Sequence, residues 1–351
     1  MRDEAAPTMS VADLAEEARK TLPPAVWAYY AAGAGDGITR DEAQAAWTAW
    51  RLLPRVLRDV SHVETGVEVL GAHLKAPVIA APTALHTLAH RDGEVATAHG
   101  IAAAGSLMIL SARAGRPVET IAAETRSWWY QVYVLRNRAA TAEQVLSAAA
   151  AGARALVLTV DAPYVFPRPG LTEDLPMIGE EASRVTPRHR PADHEQDPSI
   201  GFDTIGWLAA ISGLPVLVKG VLHPDDALAC IDAGAAGVIV SNHGGRQLDR
   251  SVSTAFALGP VVAAVAGRVP VLVDGGVRSG LDVLTAMALG ARAVLVGRPI
   301  LWALAVGGAS GVTACLRKYR TELARAMSLA GVCTLSDAGP DLLRANTVPV
   351  A

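Results

Sequence analysis

The 351-residue chain is 51% hydrophobic and 19% charged, which excludes a disordered or tail-like protein; 31 basic against 34 acidic side chains leave a net charge of −3, with no pull toward nucleic acid or acidic membranes. Three cysteines (Cys230, Cys315, Cys333) show no metal-ligand spacing and make no disulfide framework, so no metal site is expected and a reducing compartment fits. Gly, Arg or Asp interrupts every apolar run before the roughly 18–20 residues of a membrane helix, and Met1-Arg-Asp-Glu lacks the basic-then-apolar opening of a signal peptide, so a cytoplasmic protein without membrane partners is expected.

Residues 1–76 open with an amphipathic helix pattern from Val11 and continue to a Trp-rich helix around Ala43–Arg51. Both are expected to cover the outside or bottom of the domain built by the rest of the chain. Eight short apolar runs then recur, each followed by a helix-compatible stretch. They begin at Pro77, Ser106, Trp128, Ala155, Pro215, Gly237, Pro270 and Ala293. Near-continuous apolar character suits parallel strands buried on both faces, and eight such strands alternating with helices predict an α/β fold of the (β/α)8 TIM-barrel type. Start-to-start spacings are 22 to 33 residues, except for 60 between Ala155 and Pro215. That interval holds a Pro-, Arg- and His-rich segment, about 163–201, expected to be a lid. The chain reads as one domain: an N-terminal extension 1–76, barrel strands over 77–299, and C-terminal helices over 300–351. A minimal barrel needs about 250 residues, so the extension and lid account for most of the surplus.

Active sites of such barrels sit at the C-terminal ends of the strands. The first strand is followed by Pro82-Thr83-Ala84, and the second ends at Ser111. The third carries Gln131 and Tyr133, the fourth Thr159 and Asp161, the fifth Lys219. The sixth runs into Ser241-Asn-His243-Gly-Gly-Arg246, the seventh into Asp274-Gly-Gly276-Val-Arg278, the eighth into Gly297-Arg298. Gly-rich turns that open helices, with Arg278 and Arg298 beside them, suit a phosphate; plain turn-making is the rival reading. His243 with Arg246 offers a proton acceptor beside a carboxylate clamp, and Lys219 a fixed cation for a developing anion.

Ser241-Asn-His-Gly-Gly-Arg-Gln-Leu-Asp249 resembles the signature of the FMN-dependent 2-hydroxyacid oxidases and dehydrogenases, a group that includes glycolate, lactate and hydroxymandelate oxidases. The likeness extends through Tyr29-Tyr30-x-x-Gly33, Pro54-Arg55-x-Leu57, Gly93-Glu94, Leu158-Thr159-Val160-Asp161, Val218-Lys219-Gly220 and Gly297-Arg298-Pro299. It implies FMN as cofactor. Its phosphate would lie on Gly276, Arg278, Gly297 and Arg298, with Asp274 on the ribityl chain. Ser111, Gln131, Thr159, Ser241 and the Pro82–Ala84 backbone would surround the ring, with Lys219 near its N1 edge. The resemblance further makes His243 the base, paired with Asp161, and places Tyr133 on the 2-hydroxyl. Arg246 and Arg168, assisted by Tyr29, would clamp the substrate carboxylate. The implied reaction is oxidation of a 2-hydroxyacid to a 2-oxoacid, with O2 as acceptor and H2O2 as product, in a homotetramer. A biosynthetic oxidation, an oxidative decarboxylation or another electron acceptor remain alternatives. Two departures stand out. Only Arg168 survives of the Arg-rich stretch that relatives carry after Asp161, and Arg113 replaces an apolar or aromatic side chain that faces substrate. Two readings of Arg113 stay open: it reads a polar or anionic distal group of the substrate, or it points to solvent.

Overall fold

The structure, a computed structural model, describes residues 9–163 and 195–345. Arg168 and most of the expected lid lie outside the described residues. All eight expected runs form strands: β1 Val78–Ala80, β2 Met108–Leu110, β3 Trp128–Val132, β4 Leu156–Thr159, β5 Val216–Val221, β6 Gly237–Val240, β7 Val271–Val273 and β8 Ala293–Val296. They pair in parallel as a closed barrel, with β8 against β1 and helices between successive strands. The fold is thus the (β/α)8 barrel that the sequence predicts.

The strands alternate between two cores. Ile79, Ile109, Trp129, Val157, Leu217, Ile239, Leu272 and Leu295 fill the barrel interior as one buried cluster. Their neighbours, among them Val78, Leu110, Tyr130, Leu158, Val218, Val240, Val273 and Val296, belong to a second cluster shared with the surrounding helices. Each strand is apolar on both faces, which explains the unbroken runs. Full burial of one such side chain contributes about 1.5–3 kcal/mol.

The extension is only partly as expected. Helix Val11–Thr21 begins with a capping box between Ser10 and Asp13 and packs on the outer helix Arg298–Ala330. The Trp-bearing helix is Ile38–Thr48, and it lies over the loops after β6 and β7, where Trp47 Nε1 donates to Gly275 O at 2.7 Å. The bottom is closed by neither helix. A hairpin, Val67–Val69 with Ala72–Leu74, sends Val69, Ala72 and Leu74 into the interior cluster. Its turn places Leu70 and Gly71 at φ 46° and 75°, the pairing that tight hairpins require. Lys75 N bonds Gly105 O and Arg292 Nε bonds Glu68 O, so the plug sits at the N-terminal ends of β2 and β8.

Among the described helices, Arg298–Ala330 is long and apolar enough to cross a membrane by length and composition. It is broken by non-helical backbone at Gly307 and Gly308, and its Leu301, Trp302, Leu304, Leu316 and Leu323 are buried in the protein core.

Candidate active site

Residues at the C-terminal mouth continue the inward-facing phase of the strands. From Ile109 the next inward position is Ser111; from Trp129 come Gln131 and Tyr133; from Val157, Thr159 and Asp161. Leu217 leads to Lys219, Ile239 to Ser241, Leu272 to Asp274 and Leu295 to Gly297. Side chains two residues apart share a face. The barrel axis therefore passes from an apolar plug to a ring of polar groups.

Lys219 is 4% exposed and donates to Ser241 Oγ at 2.6 Å while its Nζ lies 2.9 Å from Asp274 Oδ2. Burial alone pushes its pKa down, but Asp274 and Asp161 outweigh that and hold the ammonium above its ordinary value. The cation is permanent. Gly220 follows in a bulge of β5 at φ 110°, and a Cβ there would collide with Asp161, so a glycine lets Asp161 close over the strand.

His243, Gly244 and Gly245 all adopt left-handed backbone, φ 58°, 64° and 73°. The strain at a non-glycine residue turns the imidazole back over the mouth. His243 N donates to Ser241 Oγ at 3.0 Å, and Nδ1 meets Asp161 Oδ1 at 2.8 Å. Burial pushes the Asp161 carboxyl up, yet His243 and then Lys219 bring it below its ordinary range, so it is ionised. An ionised acceptor on Nδ1 fixes the tautomer that leaves Nε2 with its lone pair.

Two arginines stack on two tyrosines. Arg246 Cζ lies 5.4 Å from the Tyr29 ring centroid, and its Nη1 donates to the carbonyls of Tyr29, Tyr30 and Ala32. Arg113 Cζ lies 4.8 Å from the Tyr133 centroid. Burial, opposed by Arg113, raises the Tyr133 phenol, which stays protonated and able to donate.

The two Gly-rich turns differ in how their helix N-termini are satisfied. The helix after β7, Gly280–Ala288, is closed by its own carboxylate: Asp282 Oδ2 accepts from Arg278 N at 2.8 Å and Ser279 N at 2.9 Å, and Glu322 accepts from Gly280 N. Gly276 is a glycine because a Cβ would collide with the Ala43 carbonyl of the overlying helix. The helix after β8 has Gly297 as N-cap with no side-chain cap, so an anion fits there. Arg278, stacked 5.4 Å over Trp302 of that helix, supplies charge beside it. Arg298 also serves the backbone. Its Nε donates to Tyr30 O at 3.0 Å, Nη1 to Gly244 O at 3.0 Å and Nη2 to Ala32 O at 2.9 Å. It ties the extension to the His243 turn.

Residues 18–345 match the sequence profile of the FMN-dependent dehydrogenase family. The chain belongs to this family. It is 42% identical over 337 residues to a peroxisomal (S)-2-hydroxy-acid oxidase of Oryza sativa subsp. japonica, covering 92% of each chain. It is 40% identical over 349 residues to an L-lactate oxidase of Nostoc sp., covering 92% of this chain and 94% of that one. A mandelate oxidase variant solved with (S)-mandelic acid superimposes with a TM-score of 0.86 at 37% identity, covering 96% of this chain and 98% of that one.

The mouth of this FMN-dependent family member suits the cofactor. Ten buried side-chain polar atoms have no partner among the described residues, and four of them face this mouth: Gln131 Nε2, Thr159 Oγ1, Asp161 Oδ2 and Asp274 Oδ1. Buried polar atoms are normally satisfied, so such a cluster marks the place of a polar ligand. Gln131 Oε1 already accepts from Ser111 Oγ and Ala112 N, which aims its amide nitrogen at the mouth. On the β1 side, Thr83 Oγ1 bonds His86 Nε2 at 2.6 Å. His86 is buried, and burial lowers its pKa so that it stays neutral. The fully buried Glu94 accepts from His86 N and Gly115 N, both at 2.9 Å, and so joins the loops after β1 and β2. The sequence assigns His86 and Glu94 no role; its signals are the Gly93-Glu94 pair within the family resemblance and an acid in an Ala-rich helix.

Proposed function

We propose that this protein oxidises a 2-hydroxyacid to the 2-oxoacid, with O2 taking the electrons and leaving as H2O2. One observation carries this reading: His243, held by Asp161 at 2.8 Å, overhangs the same mouth as the buried Lys219. FMN, when bound, supplies the two-electron acceptor of the reaction. Gln131, Thr159, Ser111 and Asp274 would hold it, with Arg278 and the Gly297 turn on its phosphate. Lys219 would provide a fixed positive charge for it.

The remaining work falls to side chains of this chain. Arg246 clamps the substrate carboxylate and orients the carbinol group toward His243. His243 Nε2, which has no partner among the described residues, takes a proton from that group. Asp161 stabilises the imidazolium that results. The protonated Tyr133 hydroxyl donates to the substrate's 2-hydroxyl oxygen. The names of the relatives, a 2-hydroxy-acid oxidase and an L-lactate oxidase, support the reaction class.

Anaerobic mixing of the holoenzyme with a panel of 2-hydroxyacids tests this. At least one acid should bleach the flavin absorbance, and His243→Gln should slow the bleaching by about 100- to 10,000-fold. A panel that leaves the flavin oxidised overturns the reading. In the same reading the chain forms a homotetramer. Support comes from Val56, Leu57 and Leu329, which are 80%, 101% and 72% exposed and gather where Arg55 N bonds Ala330 O. Light scattering should give four times the chain mass.

A further inference from the structure

Three described cations of the mouth, Lys219, Arg246 and Arg113, differ in their surroundings. Lys219 is matched by Asp274, and Arg246 is fixed by three carbonyls. Arg113 differs from both. It is half-buried, and its guanidinium lies on the Tyr133 ring and makes no hydrogen bond or ion pair among the described residues. Its backbone is held firmly: Arg113 N donates to Ser111 Oγ at 3.1 Å, and its carbonyl accepts from Leu85 N at 3.1 Å. The side chain is thus carried on a fixed turn between β2 and the ring of a residue that itself faces the mouth. The nearby carboxylates each face another cation through one oxygen, Asp161 with His243 and Asp274 with Lys219. A guanidinium drawn partly out of water without an anion is poorly compensated, and its planar fork matches a carboxylate.

We infer that Arg113 binds a second carboxylate of the substrate, so that the site takes 2-hydroxy dicarboxylic acids. This rests on the proposed oxidation. The two guanidiniums on their two tyrosines then form one device: Arg246 over Tyr29 takes the carboxylate next to the carbinol, and Arg113 over Tyr133 takes the distal one. Tyr133 serves at both places, because its ring seats Arg113 while its hydroxyl meets the reacting centre. The distal carboxylate also restores charge balance at Arg113, which a neutral substrate tail does not.

Two measurements on the holoenzyme test it. In the first, kcat/KM is compared for 2-hydroxyglutarate and 2-hydroxyvalerate, whose main chains are equally long. The native enzyme should favour the dicarboxylate by about 10- to 100-fold, the value of one charged hydrogen-bonded contact. Arg113→Met should erase that preference and Arg113→Lys should keep part of it. A preference that survives in Arg113→Met, or no preference in the native enzyme, overturns the inference. In the second, calorimetry compares glutarate with valerate, neither of which has a hydroxyl to oxidise. Glutarate should bind about tenfold more tightly to the native protein and no more tightly than valerate to Arg113→Met. Equal binding of the two acids by the native protein counts against the inference. Selective glutarate binding without bleaching by any 2-hydroxyacid would instead sink the proposed oxidation while keeping the Arg113 site.

Discussion

The two ends of the barrel are made by the same eight strands and have opposite chemistry. At the N-terminal end, Val69, Ala72 and Leu74 of the hairpin close an apolar interior with Ile79, Leu107 and Ala293. At the C-terminal end, one or two inward positions further along, the strands present Ser111, Gln131, Thr159, Lys219, Ser241 and Asp274. The change takes only one step of the two-residue side-chain period. Each strand therefore does structural work at its start and chemical work at its finish. The apolar plug lies under the polar ring, whose charges are paired as Lys219 with Asp274 and His243 with Asp161.

Substitution at the polar end should damage both fold and function. Lys219→Met leaves Asp274, a buried carboxylate, without its cation. Removing one partner of a buried pair costs about 3–5 kcal/mol, and the variant should also retain little FMN when purified. Denaturant unfolding and the flavin-to-protein absorbance ratio check this. Normal flavin content with native stability would show that the ring is not an interlocked unit.

Substitution at the apolar end should separate the two effects. Leu74→Ala opens a cavity in the plug, with an expected cost of about 2–5 kcal/mol. Because the hairpin sits at the N-terminal ends of the strands, opposite the mouth, kcat/KM below the unfolding temperature should stay within about twofold of the native value, an expectation of independence between distant sites. A larger change would mean that strain at the bottom reaches the site through the strands.

This division also explains what can be read from the sequence. The strands are legible because burial on both faces leaves unbroken apolar runs such as Val271–Val273, and the mouth residues because polar side chains interrupt those runs at their ends. The plug is not legible: Val67-Glu-Val69 and Ala72-His-Leu74 are three-residue strands too short to show periodicity. Nor are contacts between distant segments. Arg298 reaches the carbonyl of Tyr30 across 268 positions, and no local pattern announces that its guanidinium holds backbone. The helix terminus after β7 reads as open to an anion because nothing local shows that Asp282 and Glu322 fill it. Arg113 stands out as a departure in sequence, but its aim depends on Tyr133, carried on a different strand.

Asp249, the last residue of the Ser241–Asp249 signature, gives the smallest effect and sharpens the comparison from outside the ring. It accepts from Thr39 N at 2.9 Å and Gly37 N at 3.1 Å, and so anchors the start of helix Ile38–Thr48 over the mouth. Backbone donors, Thr39 first and then Arg250, hold its carboxyl down at about 2. An ordinary Asp titrates near 3.9. A carboxyl lowered on folding stabilises the protein fully above about pH 4, and this contribution is lost as the pH falls through about 2. Asp249→Asn cannot ionise, so it should lower Tm modestly at pH 7 and show a smaller Tm difference between pH 7 and pH 3 than the native protein. The arms of the test are thermal scans at those two pH values. An equal acid sensitivity in both proteins would mean that the end of the signature does not anchor the helix through its charge.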